Sequence, residues 1–561
     1  MLKDFSLSEA WFFWALETST GCIIVHSNYP NLPIQVVMRK LIKANRDEFL
    51  LPVLAILYPI LALLSNNIED IEPKDALRTF IVMVIGSIGL FLVLAYGLKD
   101  KRKSAIITSI FALLFLSYGH FYALLKPLAI GDYSIGRHRY LIPVWISMFV
   151  FIYWRVAKSR SINSTIISTG IVIGLVAVLF PLYQIITSVV LQKTASETIV
   201  TNEIAEPWLE QNRSEPLPDV YYIILDGYPR EDVLLSEYQY DNTGFIRNLE
   251  TLGFTIAEES KSNYSLTALS IASSLNMNYL DALLHLPESE NSRYLLEPYI
   301  KDSRVRNLFE QMGYKIVAFE SGYGYTEIEN ADLYLEPGPV GFAGLQGLTG
   351  LSAFEMMILE TSVGRVVLDG TIALPRFLKS TISLPYRIHR ERIVFTLDAL
   401  EKIPDVPGPK FVFAHIDSPH PPYVFGPEGE LIENTAAFTL REDAVGWTIS
   451  NPEQAFVNQI KYLNSRIIPM LELIITESDI PPIVILQADH GGFYISNEDR
   501  MKILNAFFLP PDSREEIYDQ ISPVNTFRIL FNNNFGASFE IIDDVSYFSS
   551  SGKPYVFTVI P

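Results

Sequence analysis

Apolar residues run through this chain in two different rhythms. Between residues 50 and 192, five stretches are almost free of charge: 50–68, 79–98, 104–125, 140–154 and 161–192. A hydrocarbon core takes about 20 apolar residues as helix, so the pattern predicts five membrane-spanning helices. The fourth stretch is short, and Arg139 and Arg155 at its ends can snorkel toward the interfaces. The last is long and contains Pro181, which predicts a kink or an extension past the bilayer. After residue 218 the rhythm changes. Continuous apolar runs of strand type appear at 220–225, 315–319, 410–414 and 483–486, and helical periodicities lie between them at 245–252, 268–280 and 455–475. Strands buried on both faces and alternating with helices predict an α/β layered domain. The expected organisation is a tail at 1–48, a transmembrane domain of five helices at 49–192, a linker at 193–218 and a globular domain at 219–561. The linker is marked by Glu206-Pro207, Glu215-Pro216 and Pro218.

Basic residues orient the helices. Arg39, Lys40, Lys43 and Arg46 precede the first, Lys99, Lys101, Arg102 and Lys103 separate the second from the third, and Arg155, Lys158 and Arg160 follow the fourth. The positive-inside rule puts these segments in the cytoplasm. Five spans then place the tail inside and residue 193 onward outside. No cleavable signal peptide is evident in residues 1–48.

Composition agrees. Apolar residues make up 49% and charged residues 19% of the 561, with a mean hydropathy of +0.23, too apolar for a soluble protein of this length. The net charge of −20 conceals a split: residues 1–200 hold 18 Lys and Arg against 12 Asp and Glu, whereas 201–561 hold 25 against 51. The acidic part excludes nucleic acid as a partner. Cys22 is the one cysteine, so no intrachain disulfide and no cysteine-based zinc cluster can form.

In α/β domains ligands gather at the carboxyl ends of strands. Asp226 ends the first apolar run, Asp489 and His490 end a later one, and His415, Asp417 and His420 end a third. Three of the five histidines outside the membrane half therefore fall at strand ends, together with three aspartates. A lone strand-end Asp is ordinarily a turn or cap residue. Recurrence changes that for Asp226 with Asp489 and His490, whose oxygen and nitrogen donors suit a divalent metal such as zinc or manganese. His285 and His389 have no such setting and are assigned to structure. A fourth element is the segment 262–270, which runs Ser-Asn-Tyr-Ser-Leu-Thr-Ala-Leu-Ser and leads into a helical stretch after an expected strand at 254–257. A hydroxyl there is either an N-cap or a group facing an anion at the helix N-terminus.

These motifs resemble the alkaline phosphatase superfamily in its sulfatase-like, membrane-anchored branch, which includes lipoteichoic acid synthases and lipid A phosphoethanolamine transferases. Thr267-Ala268-Leu269-Ser270-Ile271 resembles the nucleophile segment T-A-x-S-[VI] of those transferases. Asp489-His490-Gly491 matches the D-H-G metal motif, and Leu225-Asp226-Gly227 stands where the first acidic ligand does. Ser418-Pro419-His420-Pro421-Pro422-Tyr423 is similar to the substrate-side S-H-G-P-x-Y segment. The resemblance covers 218–560 and implies an alkaline-phosphatase-like catalytic domain, extracytoplasmic, on a five-helix anchor. It implies a metal, Mn²⁺ or Zn²⁺, held by Asp226, Thr267, Asp489 and His490. It also implies Thr267 as nucleophile and His420 as a group contacting the phosphoryl oxygens or protonating the leaving group. His415, Asp417, Arg500 and Ser265 are further candidates for substrate or a second metal, and Ser265 is the rival nucleophile. The spacing Asp417-x-x-His420 departs from the D-x-x-x-H of two-metal phosphatases. No histidine follows His490, and the sulfatase signature C/S-x-P-x-R is absent.

The expected function is a membrane-anchored, metal-dependent phosphotransferase or phosphodiesterase of the plasma membrane, acting on a phospholipid head group or an envelope glycopolymer. The alternatives are a sulfuric ester hydrolase on the same fold and a non-catalytic envelope scaffold. An ion channel is disfavoured because the spans hold His120 as their one titratable group besides tyrosines.

Overall fold

A computed structural model describes residues 48–68, 73–126, 128–130, 133–134, 136–200, 217–284, 290–338, 352–369, 384–432, 451–510 and 517–561. The tail, Cys22, His285 and most of the expected linker lie outside the described residues.

The membrane half contains the helices α1 (Leu50–Asn66), α2 (Ala76–Leu98), α3 (Lys101–Leu125), α4 (His138–Lys158) and α5 (Ser164–Val200). Four of the five, α2 to α5, are long and apolar enough to cross a membrane. α1 is a shorter apolar helix. Its 17 residues rise about 25 Å, short of a hydrocarbon core of about 30 Å. The fourth stretch is longer than its charge-free part, because His138, Arg139, Arg155 and Lys158 all lie within α4. α5 runs unbroken through Pro181 for 37 residues and continues to Val200, so the segment expected as linker from residue 193 begins as helix. α2 and α3 are joined through Lys99 and Asp100, whose carboxylate accepts the N–H groups of Arg102 and Lys103 at 3.0 and 3.2 Å and caps α3.

The second half is a mixed seven-stranded sheet covered by helices on both faces. Its strands are β1 (Val220–Leu225), β2 (Thr255–Ile256), β3 (Lys315–Phe319), β4 (Leu333–Leu335), β5 (Lys410–Ile416), β6 (Ile483–Ala488) and β7 (Asn505–Phe508), in the order β2-β7-β6-β1-β5-β3-β4. β1, β3, β4, β5 and β6 are parallel; β7 and β2 close one edge antiparallel. β1 reads Val-Tyr-Tyr-Ile-Ile-Leu and is buried throughout. Tyr221, Ile223 and Leu225 enter one core layer and Val220, Tyr222 and Ile224 the other, which is why the run is continuously apolar. The second layer includes α6 (Thr267–Asn276). A polar network fixes α6 to the sheet: the Tyr222 hydroxyl donates to Gln487 Oε1 at 2.8 Å and lies 3.0 Å from Ser274 Oγ, while Gln487 Nε2 donates to Asn505 and Thr526. The last strands, β8 (Ser546–Ser550) and β9 (Lys553–Ile560), form a separate hairpin.

Candidate metal centre

The sheet register places the site. Leu225 pairs with Ile416 on one side and with Ala488 on the other. The next residue on each strand is an aspartate: Asp226, Asp417 and Asp489. Neighbouring strands lie about 4.8 Å apart, so three carboxylates sit side by side at one end of the sheet. All three are buried. Such a row is costly unless cations neutralise it.

Asp226, Asp489 and His490 bring one ligand atom each to within 4.8 Å of one another. The imidazole is set for coordination. His490 Nδ1 lies 2.9 Å from the Gly491 carbonyl, which can only accept, so Nδ1 carries the proton and Nε2 presents its lone pair. Nε2 faces Asp226 Oδ1 at 3.7 Å and Asp489 Oδ2 at 3.6 Å. Asp489 Oδ2 is buried and accepts no hydrogen bond, while its other oxygen accepts the Gly227 N–H at 3.0 Å. This donor set, two carboxylates and one neutral imidazole, fits a divalent ion of the zinc or manganese type. Burial alone would raise the Asp489 carboxyl; His490, His415 and the Gly227 N–H outweigh it and hold the group below its usual range.

Thr267 opens α6 and puts its hydroxyl into the same space, 3.5 Å from Asp226 Oδ2 and 3.4 Å from His490 Nε2. Its helix N-terminus brings N–H groups without intrahelical partners to the edge of the site. Ser265 is placed differently. Its Oγ donates to the Ser549 carbonyl at 2.9 Å and accepts the Ser549 N–H at 3.0 Å, tying the segment to β8. Arg500 borders the site: its guanidinium donates to the Ser265 carbonyl at 3.2 Å and lies 3.5 Å from His490 Nε2.

On the other side of Asp226, His415 stands one residue inside the end of β5, with Nε2 3.2 Å from Asp226 Oδ2 and Nδ1 3.2 Å from Thr326 Oγ1. Burial pushes its pKa down to about 4 against the pull of Asp489 and Glu327, so it is neutral and donates to Asp226. His420 follows a tight Pro-rich turn; its Nδ1 meets the Pro421 carbonyl at 2.5 Å and its Nε2 lies 3.2 Å from the Tyr323 hydroxyl. Neither oxygen of Asp417 accepts a hydrogen bond. His420 Nδ1 lies 3.4 Å and His389 Nδ1 3.5 Å from its carboxylate oxygens. Burial first, and then Asp226 and Asp489, raise the Asp417 carboxyl well above its usual range. Burial, with the charges of Arg392 and His420, keeps His389 well below its own.

His389 is the residue that sequence reasoning assigned elsewhere. It sits in the middle of a helix (Leu384–Leu400), with no strand-end signal, and tertiary packing brings it to Asp417. Tyr323 and Thr326 were not singled out either; both lie in the stretch just after β3, where the strand-end rule could have found them.

No protein-family model and no curated protein matches the chain. Among solved structures it is similar to the C-terminal periplasmic domain of EcEptC from Escherichia coli, in complex with Zn, at 12% identity over 62% of this chain and 93% of that one, with a TM-score of 0.39. It is also similar to the integral membrane protein lipooligosaccharide phosphoethanolamine transferase A (EptA) from Neisseria meningitidis, at 11% identity over 88% and 95%, with a TM-score of 0.34. A third is a putative sulfatase from Bacteroides thetaiotaomicron VPI-5482, at 13% identity over 58% and 72%, with a TM-score of 0.35.

Proposed function

We propose that this chain is a membrane-anchored, metal-dependent phosphotransferase or phosphodiesterase whose catalytic domain faces outward. The observation that carries the proposal is the convergence of Asp226, Asp489 and His490 on one buried point, with the Thr267 hydroxyl within 3.5 Å of Asp226 and His490. Asp226, Asp489, His490 and Thr267 would hold the ion. A bound divalent metal would supply charge neutralisation and a lowered hydroxyl pKa. Thr267 Oγ1 attacks phosphorus, forming a threonine phosphoester as the bond to the leaving oxygen breaks, and its proton passes to Asp226 Oδ2. The N–H groups at the start of α6 receive the phosphoryl oxygens. His420 binds an oxygen of the group or returns a proton to the leaving oxygen. Water or an acceptor hydroxyl then takes the phosphoryl group as the Thr267 Oγ1–phosphorus bond breaks; its proton passes to His420, and Thr267 recovers its own from Asp226. His415 holds Asp226 in orientation through its Nε2–H.

The substrate class follows from attachment. A catalytic domain joined to apolar helices meets lipid head groups and envelope polymers at high effective concentration. The acidic domain repels free polyanions. Basic residues at the opposite helix ends support a domain outside the cytoplasm.

The test is turnover by the full chain with added Mn²⁺ or Zn²⁺ on aryl phosphodiester, phosphomonoester and sulfate esters, with Thr267→Ala as control and intact mass reporting a phosphoryl adduct. Phosphoester cleavage lost in Thr267→Ala, with an adduct on Thr267 in the unsubstituted chain, is the expected result. A preference for sulfate would reassign the site to sulfuric ester hydrolysis. Absence of both metal and turnover would make the domain a scaffold.

A further inference from the structure

One segment of the catalytic half does not stay with it. Residues 352–369 form two short helices, α7 (Ala353–Thr361) and α8 (Arg365–Leu368). Phe354 and Ile358 share one apolar cluster with Ile60 and Leu64 of α1, Leu116 of α3 and Ile185 of α5. Val366 packs with Tyr118, Tyr122 and Leu141 of α3 and α4. The segment enters beside Arg78 in the first turn of α2, which pairs through two nitrogens with Glu355. It leaves beside His138, the first residue of α4, whose Nε2 lies 3.0 Å from Asp369 Oδ2. Between these points the Val363 N–H donates to the Phe115 carbonyl at 2.9 Å. Phe115 is ten residues from the end of α3 at Leu125, about 15 Å along the helix axis, which is half a hydrocarbon core. Entry and exit therefore lie at the same end of the bundle, and the turn between them reaches its middle.

We propose that residues 352–369 are a re-entrant element of the membrane domain, seating the catalytic site at a fixed height over the outer leaflet and so addressing it to substrates presented in the bilayer plane. The substrate part rests on the phosphoester reading above. The chemistry of the segment suits membrane depth. Glu355 pairs with Arg78, Glu360 with Arg365 at 3.5 Å, and Asp369 with His138 and, at 3.8 Å, with Arg365, so each of these carboxylates faces a cationic or protonatable partner. Its non-helical turn is tolerated there because it lies against α3, where the Phe115 carbonyl accepts the Val363 N–H. The fit against α3 depends on Gly119: a Cβ at that position would stand 2.1 Å from the Glu360 carbonyl oxygen and 2.5 Å from the Thr361 carbonyl carbon. A small residue lets the two backbones approach.

The test uses the full chain with Cys22→Ser as background. Phe115→Cys with Val363→Cys should form a disulfide in lipid nanodiscs, while Phe115→Cys with Tyr153→Cys should not. Gly119→Ala should leave metal binding and turnover of bis(p-nitrophenyl) phosphate within about twofold, and lower turnover of phosphatidylethanolamine–phosphatidylglycerol vesicles by about tenfold or more. Arg78→Glu and Glu355→Arg should each do the same, and the double exchange should restore lipid turnover. A metal-binding chain that forms no Phe115–Val363 cross-link overturns the re-entrant placement. A cross-link accompanied by equal loss on both substrates, or by no loss, overturns the addressing role. Cross-linking reads the placement even in a chain that turns over no ester, so failure of the functional reading is seen separately.

Discussion

Gly227→Ala should weaken metal binding without touching a ligand. Gly227 follows Asp226 with φ +75°, a left-handed conformation that costs a residue with a Cβ about 1–2 kcal/mol. That Cβ would also stand 2.6 and 2.8 Å from two ring carbons of Phe493. Overpacking of this kind costs about 1–3 kcal/mol. The summed loss of stability is about 2–5 kcal/mol. Phe493 is itself a brace: its ring stands edge-on to His490 at 5.7 Å and to His420 at 5.1 Å, and Arg500 lies over it at 5.1 Å. Pushing the ring aside moves His490 and disturbs the Gly227 N–H that orients Asp489, so metal affinity should fall about 10- to 100-fold, as for other losses of support behind a ligand. Zinc competition titration and thermal unfolding with and without metal measure both effects. Phe493→Ala in the same chain should recover the packing part but not the conformational part, a non-additivity that a double-mutant cycle isolates. An unchanged melting temperature with affinity within about twofold would refute the bracing role.

Three further outcomes are expected. Ser265→Ala removes a buried hydroxyl that both donates to and accepts from Ser549; stability should fall by about 1–3 kcal/mol while turnover per folded molecule persists. Loss of turnover in that variant, with Thr267→Ala active, would transfer the nucleophile to Ser265. Asp417→Asn should raise the melting temperature of the metal-free chain at pH 8. Its folded-state pKa is raised, so the ionised form opposes folding once pH exceeds the unfolded value, and an amide escapes that cost; a fall in melting temperature counts against it. His415 titrates in the opposite sense: with a folded-state pKa lowered to about 4, its contribution is present above about pH 6.5 and lost as pH falls toward 4, by about 3 kcal/mol. His415→Gln should flatten that part of the metal-free acid unfolding curve, and an unchanged slope would show that other groups set it.

What the sequence discloses follows what each segment is surrounded by. β1, β3, β5 and β6 are legible because both faces of each are covered, which removes polar alternation and leaves a bare apolar run. β4 and β7 have three and four residues, too few for any period. α4 is undercounted because charge-free length stops at Arg139 and Arg155, although both belong to the helix. Residues 352–369 are hidden for the converse reason. Glu355, Glu360, Arg365 and Asp369 break the apolar pattern at every fourth or fifth position. Their cost is met by partners such as Arg78 and His138, more than 200 positions away, and no local window contains both members of those pairs.

The same distinction governs the candidate centre. Asp226, Asp489 and His490 announce themselves because a parallel strand must end where its ligand-facing edge begins, and an acid at that point is visible from the run before it. What the run does not show is register. Had β5 slipped by one residue against β1, Asp417 would leave the row and His415 would turn to the opposite face of the sheet. The pairing of Leu225 with both Ile416 and Ala488 makes three isolated strand ends into one concentration of buried negative charge. That charge calls for a cation, and the same register sets Asp226 beside the two neighbouring strand ends that carry Asp417 and Asp489. Metal removal should therefore reach beyond Thr267: hydrogen exchange should rise at the ends of β1, β5 and β6 together, because three carboxylates lose their compensating cation. Exchange rising at β6 alone would mean that Asp489 and His490 hold the ion without the rest of the row.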